Sequence, residues 1–112
     1  MTGKVLIAGA SGLVGTAAAI EFAQAGWQVV ALSRRGPELL DGLPIQHLAL
    51  DLTDAEACRA AASHLSDVTH VVYTAVYELP GLMAGWADPH QIETNGRMLR
   101  NLLEPLSASA RL

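Results

Sequence analysis

Apolar residues along the chain fall into short runs separated by glycine, proline and charge. Lys4 to Ala8 is apolar without alternation, which predicts a strand covered on both faces. Leu13 to Ala25 is rich in alanine with Ile20 and Phe22, and predicts a helix that Gly26 stops. Gln28 to Ser33 predicts a second buried strand and Gln46 to Leu50 a third, with Gly36-Pro37 and Asp41-Gly42 punctuating the loop between them. Thr53-Asp54-Ala55-Glu56 matches a capping box. It opens a helix to about Leu65, with Cys58, Ala61, Ala62 and Leu65 on the inner face. Val68 to Tyr73 predicts strand four, followed by a long loop from Thr74 to Ala87 that contains Pro80, Gly81 and Gly85. Asp88-Pro89 reads as the N-cap and first residue of a last helix, expected to end before Pro105.

Strands alternating with helices predict an α/β fold, a doubly wound parallel sheet with right-handed crossovers in the order 3-2-1-4. The sheet reads as incomplete, because the sequence stops after the helix that follows strand four. Strand four would then carry an open edge lined by Val68, Val71 and Val72, a template for pairing with a second copy or with the rest of a longer protein.

Composition removes several classes. The 112 residues are 51% hydrophobic and 16% charged, enough for a real core and too apolar for disorder. Seven Lys and Arg against 11 Asp and Glu give a net charge of −4, which argues against nucleic acid as a partner. No apolar stretch approaches the roughly 20 residues of a membrane span. The run after Lys4 meets three evenly spaced glycines, so it reads as a strand entering a turn and not as a signal peptide. A single cysteine, Cys58, builds no disulfide framework and fits a reducing, cytoplasmic setting. Cys58 in its alanine-rich helix reads as packing. His47, His64, His70 and His90 show no ligand spacing, so no metal is expected.

The chemistry concentrates at strand ends. Gly9-Ala10-Ser11-Gly12-Leu13-Val14-Gly15 joins strand one to helix one. Gly9 permits the sharp turn, Gly12 leaves no side chain between backbone and a pyrophosphate, and Gly15 lets the helix approach the sheet. The helix N-terminus offers free N–H groups and a positive dipole end. Packing alone also produces glycine-rich helix starts, and the spacing GxxGxxG differs from the commoner GxGxxG. A site preferring NAD carries an acid at the end of strand two; here stand Ser33, Arg34 and Arg35. A guanidinium there suits a 2′-phosphate, although the pair also reads as a solvated surface before a turn. Asp51, after strand three, is placed to accept from an adenine amino group, or to cap the next helix. Trp27 is expected at the lower edge of the sheet. Trp86, beside Leu82 and Met83, reads as a core anchor or a substrate-pocket wall.

Taken together, Ala8 to Gly15, Ser33-Arg34-Arg35, Asp51-Leu52-Thr53-Asp54, Thr69-His70-Val71-Val72-Tyr73, and Asn95 with Met98 to Leu103 resemble the extended short-chain dehydrogenases/reductases. The chain is most similar there to the progesterone 5β-reductase and iridoid synthase-like enone reductases, and to bacterial epimerase/dehydratase-type proteins. The resemblance covers nearly the whole chain but only the first part of the family's Rossmann-type domain, so the substrate-binding part would lie elsewhere. It implies an NADP(H)-binding portion of an oxidoreductase acting on a small carbonyl or enone. By the same resemblance, Gly9, Ser11, Gly12, Leu13, Val14 and Gly15 would lie at the pyrophosphate turn. Ser33, Arg34 and Arg35 would hold the adenosine 2′-phosphate, and Asp51 and Leu52 would frame adenine. Thr74, Ala75 and Val76 would border the nicotinamide ribose, and Asn95 would stabilise the centre of the sheet. The family's catalytic pair is a tyrosine with a lysine. The one lysine is Lys4, at the start of strand one, and Tyr73 and Tyr77 have no lysine partner. No catalytic residue is assigned, and a non-catalytic NADP-binding sensor or a plain interaction module stands as the alternative.

Overall fold

In a computed structural model of the chain, residues 3–34, 44–77 and 88–112 are described. Strands β1 (Lys4–Ala8), β2 (Gln28–Ser33), β3 (Ile45–Ala49) and β4 (His70–Tyr73) form one parallel sheet in the order β3-β2-β1-β4. The helices are α1 (Leu13–Gln24), α2 (Ala55–Ala62) and α3 (Pro89–Ser109). Side chains alternate across a strand, so each strand feeds two cores. Val5, Ile7, Val29 and Ala31 pack with Ala19 of α1 on one face. Leu6, Ala8, Val30 and Leu32 pack with Cys58 of α2 and with Met98, Leu102 and Leu106 of α3 on the other. This is the doubly wound α/β arrangement, and it explains why β1 and β2 read as continuous apolar runs.

Local chemistry sets the ends of the elements. Gly26, at φ +90°, closes α1: its amide donates to the Ala23 carbonyl at 3.1 Å and that of Trp27 to Phe22 at 3.0 Å. These are the paired bonds of a left-handed C-terminal cap. The Trp27 ring completes the cap with an edge contact to Phe22, centroids 5.0 Å apart, and a second to His70 at 4.9 Å.

Three boundaries differ from the sequence reading. β3 runs one residue earlier than Gln46–Leu50, with Leu50 donating its amide to the Ser33 carbonyl just past the strand. Of the two residues able to cap α2, Thr53 and Asp54, the cap is Asp54, and the Thr53 hydroxyl is engaged by Asp51. α2 stops at Ala62, and a turn carries the chain on to buried Leu65. β4 starts at His70; Val68 is fully buried before it, and Val71 and Val72 pack into the two opposite cores instead of lining the edge. Asp54→Ala is expected to cost about 1 kcal/mol, because Ala57 loses the carboxylate that accepts its amide at 3.1 Å. Thermal melting of the pair of proteins checks this.

The last helix corrects a larger expectation. α3 does not end before Pro105; it continues through it to Ser109. A proline inside a helix costs about 3 kcal/mol. Leu102 and Leu106 lie on either side of it, both fully sequestered in the core, and each such burial is worth roughly 1.5–3 kcal/mol. Burial of the pair therefore offsets the broken bond. The Ser109 hydroxyl adds a tie to the Ala62 carbonyl at 3.2 Å. No helix among the described residues is long and apolar enough to cross a membrane.

Candidate functional site

All four strands point their carboxyl ends at one open cleft of about 390 Å³. Gly9, Ser11 and Gly12 line it from the turn after β1, and Leu32, Ser33 and Arg34 from the end of β2. Leu50, Asp51, Leu52 and Thr53 form the wall after β3. Thr74, Ala75, Val76 and Tyr77 form the wall after β4, and Met98 of α3 reaches in from behind. Among the anticipated residues, Leu13 and Val14 do not line the cleft; they open α1 with exposed side chains, 91% and 65% accessible. Gly15 lies behind the lining, packed against Gly9. Arg35, Trp86, Met83, Leu82 and the Gly36-Pro37 and Asp41-Gly42 turns fall outside the described residues.

The three glycines have different reasons to be glycine. Gly9 sits at φ +87°, where L residues are strained, and a Cβ there would come within 2.6 Å of Thr74 Oγ1 and 2.7 Å of the Ala75 nitrogen. A Cβ on Gly15 would overlap the Gly9 carbonyl oxygen. Packing thus demands both. Gly12 is different: a Cβ would meet only the Gly9 oxygen, at 3.4 Å, an adjustable contact. Gly12 is also the N-cap of α1 and places no side chain on the helix's first amides. Those amides lack intrahelical acceptors by construction, so the turn presents donors and a positive dipole end.

Two loops are tied by side chains. Thr53 donates to Asp51 Oδ1 twice, from its amide at 2.9 Å and its hydroxyl at 2.7 Å. The hydroxyl first and the amide second hold the Asp51 carboxyl below its ordinary value, against the opposing effect of burial, and the Arg34 charge adds a lesser push downward. A depressed aspartate contributes stability above pH about 4 that is lost as pH falls through its lowered folded value. Thr53→Val is expected to move the Asp51 carboxyl part of the way up towards an ordinary aspartate, read by carbon NMR of the carboxyl across an acid titration. On the other wall, Thr74 Oγ1 donates to the Ala8 carbonyl at 2.8 Å. Asn95 does not reach the centre of the sheet; it clamps Tyr77, accepting its amide at 2.7 Å and donating to its carbonyl at 2.8 Å.

Cys58, Tyr73 and Lys4 do not line the cleft. Burial pushes the Cys58 thiol and the Tyr73 phenol up, and the buried Tyr73 hydroxyl has no hydrogen-bond partner among the described residues. Lys4 pairs with Asp67 at 2.9 Å, and it lies at the amino end of β1, opposite the cleft. No group of three metal-ligating side chains occurs among the described residues.

The cleft residues absent from the sequence reading are Leu32, Leu50, Tyr77 and Met98; Thr53 was read there only as a cap. Leu32, Leu50 and Tyr77 each adjoin a named position. Met98 gave no signal, because only the packing of α3 brings it beneath the cleft.

Comparison with known proteins agrees with this architecture. A short-chain dehydrogenase from Streptomyces avermitilis superposes with a TM-score of 0.76 at 22% identity, over 96% of this chain and 44% of that one. A short chain dehydrogenase from Burkholderia cenocepacia, solved in complex with NADP, gives 0.74 at 17%, over 96% and 48%. In sequence, the chain is 34% identical to a 3-oxo-Delta(4,5)-steroid 5-beta-reductase of Arabidopsis thaliana, over 90% of this chain and 26% of that protein. It is 32% identical to an (S)-8-oxocitronellyl enol synthase of Camptotheca acuminata, over 94% and 27%. The chain thus spans about a quarter of the length of these relatives. The profile of one family matches residues 5–111, nearly the whole chain, and by that match the protein belongs to the NAD dependent epimerase/dehydratase family.

Proposed function

We propose that residues 1–112 are the first part of a dinucleotide-binding domain and form the NADP(H)-binding portion of an oxidoreductase that acts on a small carbonyl or enone. The observation that carries this reading is the cleft itself: four strand ends and an uncapped helix start converge on Gly12, a glycine that packing does not require. Names of relatives support the substrate class, since a steroid reductase and an enol synthase are among them.

The residues present fit the group. The amides that open α1, with Ser11 beside Gly12, would take the pyrophosphate. Arg34 would take the adenosine 2′-phosphate, and Ser33 leaves no carboxylate at the end of β2 to repel it. Asp51 would accept from the adenine amino group through the oxygen that Thr53 leaves open. Thr74, Ala75 and Val76 would border the nicotinamide ribose. Bound there, NADPH supplies the hydride, while these residues hold and orient it. Lys4 is too far from the cleft to serve a proton donor, so this segment's part is binding. The single buried cysteine supports a reducing, cytoplasmic setting, and β4's outer edge, unpaired among the described residues, would pair with further chain or a second copy.

Titration of the intact protein with NADPH and NADH tests the reading. Tighter binding of NADPH is expected; equal affinity for the two would overturn the cofactor assignment.

A further inference from the structure

The wall that would frame adenine is tied to a distant helix. Asn101 of α3, half-buried, donates its Nδ2 proton to the Leu52 carbonyl at 2.9 Å, across 49 residues of sequence. Leu52 is itself 4% exposed and lines the cleft. The same turn is closed from within by the Asp54 amide on the Asp51 carbonyl at 3.0 Å and by the two Thr53 bonds to Asp51 Oδ1. Those internal bonds shape the turn but do not fix where it stands relative to the opposite wall.

α3 also holds that opposite wall. Asn95, six residues earlier, clamps both backbone groups of Tyr77 and anchors its own amide on the Gln91 carbonyl at 2.9 Å. Met98, between the two asparagines, lines the cleft. The helix is rigid over this span because Thr94, Met98, Leu102 and Leu106 are buried in one stripe. One helix therefore carries an amide anchor for each wall.

We propose that Asn101 is a positioning residue for the adenosine end of the cleft: through the Leu52 carbonyl it sets the spacing between the Asp51–Thr53 wall and the wall held by Asn95. This rests on the cofactor reading above. A ligand whose adenosine end lies against the Asp51–Thr53 wall needs that wall at a fixed place, and a side chain that locks the loop to a packed helix supplies it. Without Asn101 the Leu52 carbonyl would keep only the long, weak contact from the Cys58 thiol at 4.0 Å, and the turn would relax outward.

The test uses Asn101→Leu, close in shape but without a donor, and Asn101→Ala in case the larger side chain misfolds. Two quantities are read in the intact protein: affinity for adenosine 2′,5′-bisphosphate, and amide hydrogen exchange of Thr53 and Asp54 against that of Leu6 and Ile7 in β1. The expected result is roughly tenfold weaker bisphosphate binding, as for one lost buried hydrogen bond. Thr53 and Asp54 should exchange faster while the β1 amides do not. Bisphosphate affinity within twofold of the unmodified protein, or faster exchange spread evenly over the fold, would overturn the proposal and leave Asn101 a general stabiliser. Should the unmodified protein bind no bisphosphate, the cofactor reading falls, and the exchange pattern alone decides whether Asn101 holds the wall.

Discussion

Gly9→Ala and Gly15→Ala are each expected to destabilise the fold by about 1–3 kcal/mol, while Gly12→Ala costs less than about 1 kcal/mol yet abolishes dinucleotide binding. Within this one turn two glycines serve packing and one serves ligand contact. At Gly9 a methyl group meets both faults at once: a φ of +87° and close approach to Thr74 Oγ1 and the Ala75 nitrogen. The Gly15 methyl would run into the Gly9 carbonyl, backbone that is fixed by the Gly9 and Ala10 amides on the Leu32 carbonyl at 3.0 and 3.1 Å. At both positions backbone atoms stand in the way, the Ala75 nitrogen at Gly9 and the Gly9 carbonyl at Gly15, so the strand-to-helix turn itself must shift. At Gly12 the backbone is at φ −80° and ψ 171°, open to any residue, and the added carbon has only one contact to adjust. A methyl group there would instead stand over the first amides of α1. Thermal melting of the three variants, each followed by NADPH titration, reads both effects. Equal loss of stability in all three would mean that Gly12, too, is there for packing.

The second large effect concerns Arg34. Arg34→Ala is expected to weaken NADPH binding by roughly 10- to 100-fold, as for one charge-assisted contact to a phosphate. Affinity for NADH should change by less than about threefold in the same variant, because NADH lacks the 2′-phosphate. Arg34 lines the cleft at the end of β2, close enough to Asp51 for its charge to help hold that carboxyl ionised. On the proposed reading, Arg34 would attract the 2′-phosphate and Asp51 would accept from the base. An equal loss for both cofactors would move Arg34 from recognition of the 2′-phosphate to general electrostatic attraction, and high salt would then remove most of its effect.

Much of this was legible from residue order because the relevant forces act locally. β1 and β2 match their expected limits to the residue, since each apolar run is bounded by glycine or charge and both faces are buried. The Asp88 cap with Pro89 behind it was equally plain, and Asp88 accepts the His90 amide at 2.8 Å. What sequence hid is tertiary. Pro105 is a helix breaker by its own chemistry, and only the burial of Leu102 and Leu106 around it reverses that. Thr53 and Asp54 both qualify as caps, and the choice falls to Asp54 because Asp51 claims the Thr53 hydroxyl. The three glycines look alike in a motif; their separate tasks emerge only from what a methyl group would touch. Met98 lines the cleft, and Asn95 and Asn101 hold its walls, through the packing of α3, which no spacing within the helix reveals.

Whether the cleft at the carboxyl ends of the strands receives the dinucleotide is read from backbone amide shifts of the isotope-labelled intact protein, followed through an NADPH titration. Saturable shifts are expected to concentrate at Gly9 to Gly15, Ser33 and Arg34, Asp51 to Thr53, and Thr74 to Tyr77. Shifts gathered instead around Lys4, Asp67 and Thr69 at the opposite end of the sheet, or no saturable shift at all, would contradict it.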